Sequence, residues 1–352
     1  MNVFYGKSTS GSVKDAVKGL TSAKLLIMTS TAADKFEANV KELESLFPGV
    51  PSISCIAKGY DTDILENGVL VTAFKDGVEV TTGIMEKVSV SPARSIAKVE
   101  KDIQAVRPGK DNTAIIDFCA GNDAAVLTTL SGLVNKYNLQ IMGATGDAGK
   151  VAANGVVYGD GMAYAVIKNL GGKVKTYKEN IYEPKDNKQL IASKTDKSRY
   201  YLGELNGKPA KQLYIELTGC APDKVVDQTF KNPFGKMMGS DVCIVSLKDV
   251  DGNGLILYRQ INDSDILTLL EMREPMEIAQ STVNKIKGDF NHISAIFSVN
   301  CIFRYLVLKD RSELGAYLNK IGTLGTSCGL IGFGEHYNTQ FVNQTMTCVV
   351  FE

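Results

Sequence analysis

The chain has 352 residues, and its 39 Lys plus Arg balance 39 Asp plus Glu, so the formal net charge is zero. That balance argues against nucleic acid or an anionic membrane as the main partner, because both call for a basic surface. Apolar residues make up 44% and charged residues 22%, the composition of an ordinary globular fold, and at ~150 residues per domain the length predicts two domains.

The first half alternates strand and helix. Leu25-Leu26-Ile27-Met28 reads as a buried strand, and Phe36, Val40, Leu43 and Phe47 recur at helical spacing until Pro48-Gly49. Ser52 to Ala57 is a second strand. After Gly59, Val69 to Phe74 and Val78 to Thr82 flank Lys75-Asp76-Gly77, where Asp-Gly supplies a turn's positive φ. The order then returns: a strand at Ala114 to Phe118, a helix at Asp123 to Tyr137, and a strand at Leu139 to Gly143. The glycine-rich turn Gly143 to Gly149 follows, then strands at Val156 to Tyr158 and Met162 to Ile167, with Lys173 to Tyr177 as an extra. Two copies of a strand–helix–strand–hairpin unit predict internal pseudo-symmetry.

Residues 181–198 are polar and lysine-rich and read as a linker between domains at 1–180 and 199–352. Beyond them come a strand at Tyr200 to Leu205, a helix opened by Pro209, and a hairpin of Val242 to Leu247 with Leu255 to Ile261 around Asp249 to Gly254. Helices are expected at Pro275 to Ile286 and Ser312 to Ile321, and strands at Ile293 to Val299, Cys328 to Gly332 and Thr345 to Phe351. The hairpins predict an α+β fold of mixed sheets layered with helices.

Met1 to Lys7 has no secretory pattern, and no apolar run approaches the ~18–20 residues of a membrane span. The seven cysteines are odd in number and none is spaced as a metal or redox pair, which predicts reduced thiols in a cytoplasmic protein. Asp249, Asp251, Asn253 and Gly254 match the opening of a calcium loop, but Gln260 stands where a bidentate Glu is needed and the flanks are strands. Gly325-Thr326-Ser327-Cys328-Gly329 has the letters of a nucleophile elbow without the helix that must follow. The Gly143 to Gly149 turn can serve either as a cradle of N–H groups for a small anion or as a tight turn. Of the two histidines, His292 and His336, the second follows Glu335 and is a candidate pH-sensitive contact or axial haem ligand.

Three features of the second half resemble the FIST family in order and spacing: Cys301-x-x-Arg304, Gly332-Phe333-Gly334-Glu335, and Phe341-Val342-Asn343-Gln344-Thr345. In the first half, Ser54-Cys55-Ile56-Ala57-Lys58-Gly59 resembles the family's first glycine turn, though Ser54 replaces a Gly and no Glu follows Gly59. Gly143-Ala144-Thr145-Gly146-Asp147 resembles its second. The resemblance covers nearly the full length and implies a stand-alone sensory module that binds a small molecule such as an amino acid and signals through a separate partner protein. Physically, Arg304 would pair with a ligand carboxylate, Glu335 with an ammonium, and Asn343 would orient the ligand. Cys301, Gly332, Gly334, Gly146 and Asp147 complete the expected site, with no catalysis, no cofactor and no metal. Two alternatives stay open: a haem-binding nitric oxide sensor using His336, as some branches of the family resemblance imply, and an enzyme with Cys301 as nucleophile but no base adjacent in sequence.

Overall fold

The computed structural model describes residues 1–239 and 241–352, and among them the chain divides into two compact units. The first comprises Met1–Glu179, Ala279–Phe341 and Thr345–Glu352; the second comprises Asn180–Ile278 and Val342–Gln344.

The first unit begins with β1 (Val3–Ser8), α1 (Val13–Ala16), β2 (Leu25–Ser30), α2 (Phe36–Leu46), β3 (Ser52–Ile56), β4 (Gly59–Tyr60) and β5 (Val69–Phe74). It continues with β6 (Val78–Glu86), α3 (Ile96–Ala105), β7 (Thr113–Ala120), α4 (Asp123–Tyr137), β8 (Gln140–Thr145), β9 (Val151–Ala153), β10 (Val156–Tyr158), β11 (Gly161–Asn169) and β12 (Val174–Asn180). In the second unit are β13 (Tyr182–Pro184), β14 (Leu190–Asp196), β15 (Tyr201–Leu205), β16 (Lys208–Pro209), α5 (Ala210–Thr218) and β17 (Phe234–Met238). They are followed by β18 (Asp241–Val245), β19 (Leu247–Asp251), β20 (Gly254–Leu257) and β21 (Ile266–Met272). The chain closes with α6 (Pro275–Asp289), β22 (Ala295–Cys301), α7 (Ile302–Asp310), α8 (Leu314–Gly322), β23 (Ser327–Gly332), β24 (Glu335–Tyr337), β25 (Gln340–Val342) and β26 (Thr345–Phe351).

The expected two copies are three. In each, a helical crossover joins two parallel neighbours: β2 with β3, β7 with β8, and β22 with β23. An antiparallel strand flanks the first of each pair, namely β5, β11 and β26. After the second strand the chain turns and crosses to a different sheet. Thus β4 pairs with β23, β9 with β3, and β24 with β8. The exchange is cyclic, so each copy covers a strand edge that another would leave open. The third copy is split, because the second unit is inserted between β12 and α6.

The central strands are buried on both faces, which is why they read as continuous apolar runs rather than alternating ones. Leu25 and Ile27 of β2, Ile116 and Phe118 of β7, and Phe297 and Val299 of β22 share one interior core. Two ring pairs knit the sheets there, Phe74–Phe351 at 5.4 Å and Phe118–Phe297 at 6.5 Å. The opposite faces carry helices. Leu26 and Met28 pack on Val13, Phe36 and Val40, while Ile115 and Cys119 pack on Val99, Val126 and Leu130. Helix starts are set locally, Ser12 accepting from Asp15 N–H and Asn122 from Ala125 N–H, each at 3.1 Å.

The second unit is built on an antiparallel sheet in the order β18-β17-β21-β14-β15-β20-β19, with β13 on β21 and β16 on β15. Residues 181–198, read from the sequence as a linker, contain β13 and β14. The Asp249 to Gly254 segment is the end of the β19–β20 hairpin, with Asp251 opposite Gly254 and Gly252 at φ +59°. Leu213 and Tyr214 of α5 pack on Leu202, Leu205 and Leu255.

Candidate functional site

Six of the residues singled out from the sequence lie at or just beyond the C-terminal ends of β8, β22 and β23 in the first unit. Cys301 ends β22 and stands opposite Gly332 in the parallel ladder. Arg304 lies in the first turn of α7. Glu335 opens β24 opposite Ala144 of β8. Between them the two glycine segments are joined by backbone bonds: Thr145 N–H donates to Gly334 O, and Phe333 N–H to Thr145 O, each at 3.0 Å. Gly146 follows β8 and donates to Cys119 O at 3.1 Å. Asp147 is on the exposed turn beyond, its carboxylate accepting Ala148 N–H at 2.7 Å. Asn343 belongs to the second unit, where its Nδ2 is buried without a hydrogen-bond partner among the described residues.

Glu335 is fully buried. Its Oε2 accepts the N–H and hydroxyl of Thr345 at 3.1 and 2.8 Å. Burial pushes its pKa up to about 8, although the bonds from Thr345 and the Cys301 thiol pull against that shift. The side chain is therefore a carboxylic acid at neutral pH. Cys301 has no base next to it along the chain; the fold brings the Glu335 carboxyl to its thiol.

Arg304 is 0% exposed. Its Nη2 binds Glu179 Oε1, its Nε donates to Asn300 Oδ1 at 3.2 Å, and its guanidinium lies 4.8 Å over the Tyr317 ring. Tyr317 donates to the same Glu179 oxygen at 3.1 Å. Asn300 Nδ2 donates onward to Tyr60 at 2.8 Å, and Tyr60 shares a 2.9 Å bond with Ser298. Glu179, Tyr317 and Tyr60 were not legible as site residues. Glu179 sits in an alternating polar strand that carries no signal, whereas Asn300 interrupts an apolar run.

A second buried polar cluster surrounds His336. Its Nδ1 is 2.6 Å from Asp117 and its Nε2 is 3.2 Å from Asp123, whose other oxygen accepts the Thr145 hydroxyl at 2.7 Å. Burial would lower the imidazole pKa, but Asp117 and then Asp123 outweigh it and hold it up to about 10. Asp117 is pushed up by burial against the pull of His336, while Asp123 is drawn down by its bonds to His336, Cys119 and Thr145 despite its own burial. The sequence signal for Asp117 was a carboxylate inside the apolar strand Ala114 to Phe118.

His336 and Tyr60 hold corresponding places in the cyclic exchange. His336 faces Gly143 of β8 and bonds Asp117 of β7; Tyr60 faces Gly329 of β23 and bonds Ser298 of β22. In the remaining copy the same places are apolar, Ala152 and Met28. A Cβ at Gly143 would collide with the Asp117 carbonyl and carboxylate, and one at Gly329 with the Ser298 carbonyl and the Tyr60 ring. We expect Gly143→Ala and Gly329→Ala each to lose about 1–3 kcal/mol in urea unfolding. Gly132→Ala, in open space on α4, should instead gain about 0.5–1 kcal/mol.

The models of the FIST N domain and the FIST C domain match residues 24–208 and 210–338. The chain belongs to the FIST family. FIST domains are sensory domains that bind small ligands in signal transduction. No curated protein matches the chain. No helix among the described residues is long and apolar enough to cross a membrane. The FIST C match spans the Cys301–Arg304 and Gly332–Glu335 segments, so Arg304 and Glu335 both lie within the family region.

Proposed function

We propose that the first unit binds an amino-acid-like zwitterion without catalysis and signals through a separate partner protein. One observation carries this reading: a guanidinium and a carboxyl group are both buried just past the ends of β22 and β23, each met by internal groups that a zwitterion can replace. Glu179 Oε1 holds the Arg304 guanidinium, and a ligand carboxylate can take its place. Burial holds Glu335 as an acid against the bonds from Thr345 and Cys301, and a ligand ammonium would convert it to the carboxylate.

Binding then releases a proton from Glu335 below pH 8. Affinity should rise with pH toward 8, and calorimetry in buffers of different ionisation enthalpy should detect about one proton released. The class of ligand is read from thermal shifts with α-amino acids, the corresponding amines and N-acetyl amino acids. At about 100 times its Kd a ligand adds about 2.7 kcal/mol. Only the zwitterions should shift the midpoint, and Glu335→Gln should abolish the effect; equal shifts with the amines would contradict the reading.

The haem alternative needs a neutral imidazole nitrogen for iron. His336 presents both nitrogens to carboxylates, and His292 is exposed. The enzyme alternative draws on the Cys301–Glu335 contact. It predicts that iodoacetamide labels Cys301 ahead of the other six cysteines, whereas a sensing role predicts no such preference.

A further inference from the structure

The first unit holds a cleft of about 510 Å³ at the N-terminal ends of β2 and β3, whereas Arg304 and Glu335 lie beyond the C-terminal ends of β22 and β23. This is the size range of small-molecule sites. Val50, Val78 and Val106 supply apolar wall, and two cations, Lys24 and Arg107, stand at its lining. Neither cation has an ion-pair partner among the described residues. The lining carboxylate, Glu79, is tied to Lys168 at 3.4 Å.

Arg107 is also conformationally costly. It follows the C-cap Val106 of α3 with φ +50°, its N–H donating to Gln104 O at 2.9 Å. That position favours glycine, and a non-glycine residue in the left-handed region is the kind of strain that accumulates at binding sites. A guanidinium is present where the backbone alone would be better served by no side chain.

We propose that this cleft binds a small organic anion with an apolar body, a carboxylate bearing a short hydrocarbon chain. The Arg107 guanidinium takes the carboxylate through two parallel N–H donors, Lys24 adds a point charge, and the valines cover the chain. This site is separate from the Arg304–Glu335 site and does not depend on the zwitterion reading.

The test is an amide NMR titration with hexanoate, with hexylamine as the oppositely charged control. Hexanoate should move the amides of Val80, Thr81 and Val106 saturably, and hexylamine should leave them in place. Arg107→Gly removes the charge while suiting the backbone, so the melting temperature should stay within about 2 °C of wild type while hexanoate affinity falls at least tenfold. Equal shifts with hexylamine, or unchanged hexanoate binding by Arg107→Gly, would overturn the proposal.

Discussion

Replacing Arg304 with Met should cost about 3–5 kcal/mol, because it strands a carboxylate inside the protein. Arg304 and Glu179 are both almost wholly removed from water, and each is a partner the other cannot exchange for solvent. Tyr317 would still donate to Glu179, and Asn300 would still be held by Tyr60, but neither supplies charge. Against a typical total of about 5–15 kcal/mol, that is a large share. The double variant Arg304→Met with Glu179→Gln removes both charges and should recover most of the loss, since it leaves no buried charge without a partner. Chemical unfolding of the four proteins forms a double-mutant cycle. Additive losses would show that the two residues do not act as a pair.

The second large effect concerns His336. Its pKa is raised above that of the unfolded chain, so the stability it contributes is complete below about pH 6.5 and is lost as pH rises toward about 10. The raised pKa of Glu335 acts in the same direction: its neutral form is favoured by the fold, and that contribution is complete below its ordinary value of 4.5 and fades as pH passes about 8. Stability should therefore decline between pH 6 and 10 by a few kcal/mol. Glu335→Gln should flatten the portion up to pH 8 and leave the later fall intact. His336→Asn removes the one cation between two buried carboxylates and should cost about 3 kcal/mol or more at pH 7. Asp117→Asn in the same chain should restore much of it. Thermal unfolding across pH checks each curve, and a midpoint that climbs from pH 7 to 10 would contradict the assignment of a charged His336.

The sequence carried the strand and helix order of the first two copies because their central strands are apolar runs and their helices keep a clear apolar face, as in Val126, Leu130 and Val134 of α4. The third copy was hidden. Its first strand, β12, is separated from β22 by the second unit, so its parts are not contiguous. The cyclic exchange was also illegible, since β4 has two residues and β24 has three, too short for a period. Even the hairpin near Asp249 shifted by one element: it joins β19 to β20, and the apolar run before it is a separate strand, β18, paired with β17.

The candidate site was legible only as isolated residues. Arg304 and Glu335 stand out as charges next to strand ends, and the fold places both at one end of the first unit. Their internal partners arise only from tertiary structure. Glu179 is 125 positions from Arg304, and Asp117 is 219 from His336. No local pattern connects such residues, and the balanced charge of the chain conceals that several charges are buried.

Sensing by exchange of carboxylates at Arg304 is tested most directly by titrating the zwitterion that emerges from the thermal screen into wild type and Glu179→Gln, using isothermal calorimetry. If Glu179 is the group the ligand replaces, the variant keeps a hydrogen-bond acceptor but loses the competing charge, and it should bind at least tenfold more tightly, about 1.4 kcal/mol. Unchanged or weaker binding by Glu179→Gln would contradict the account.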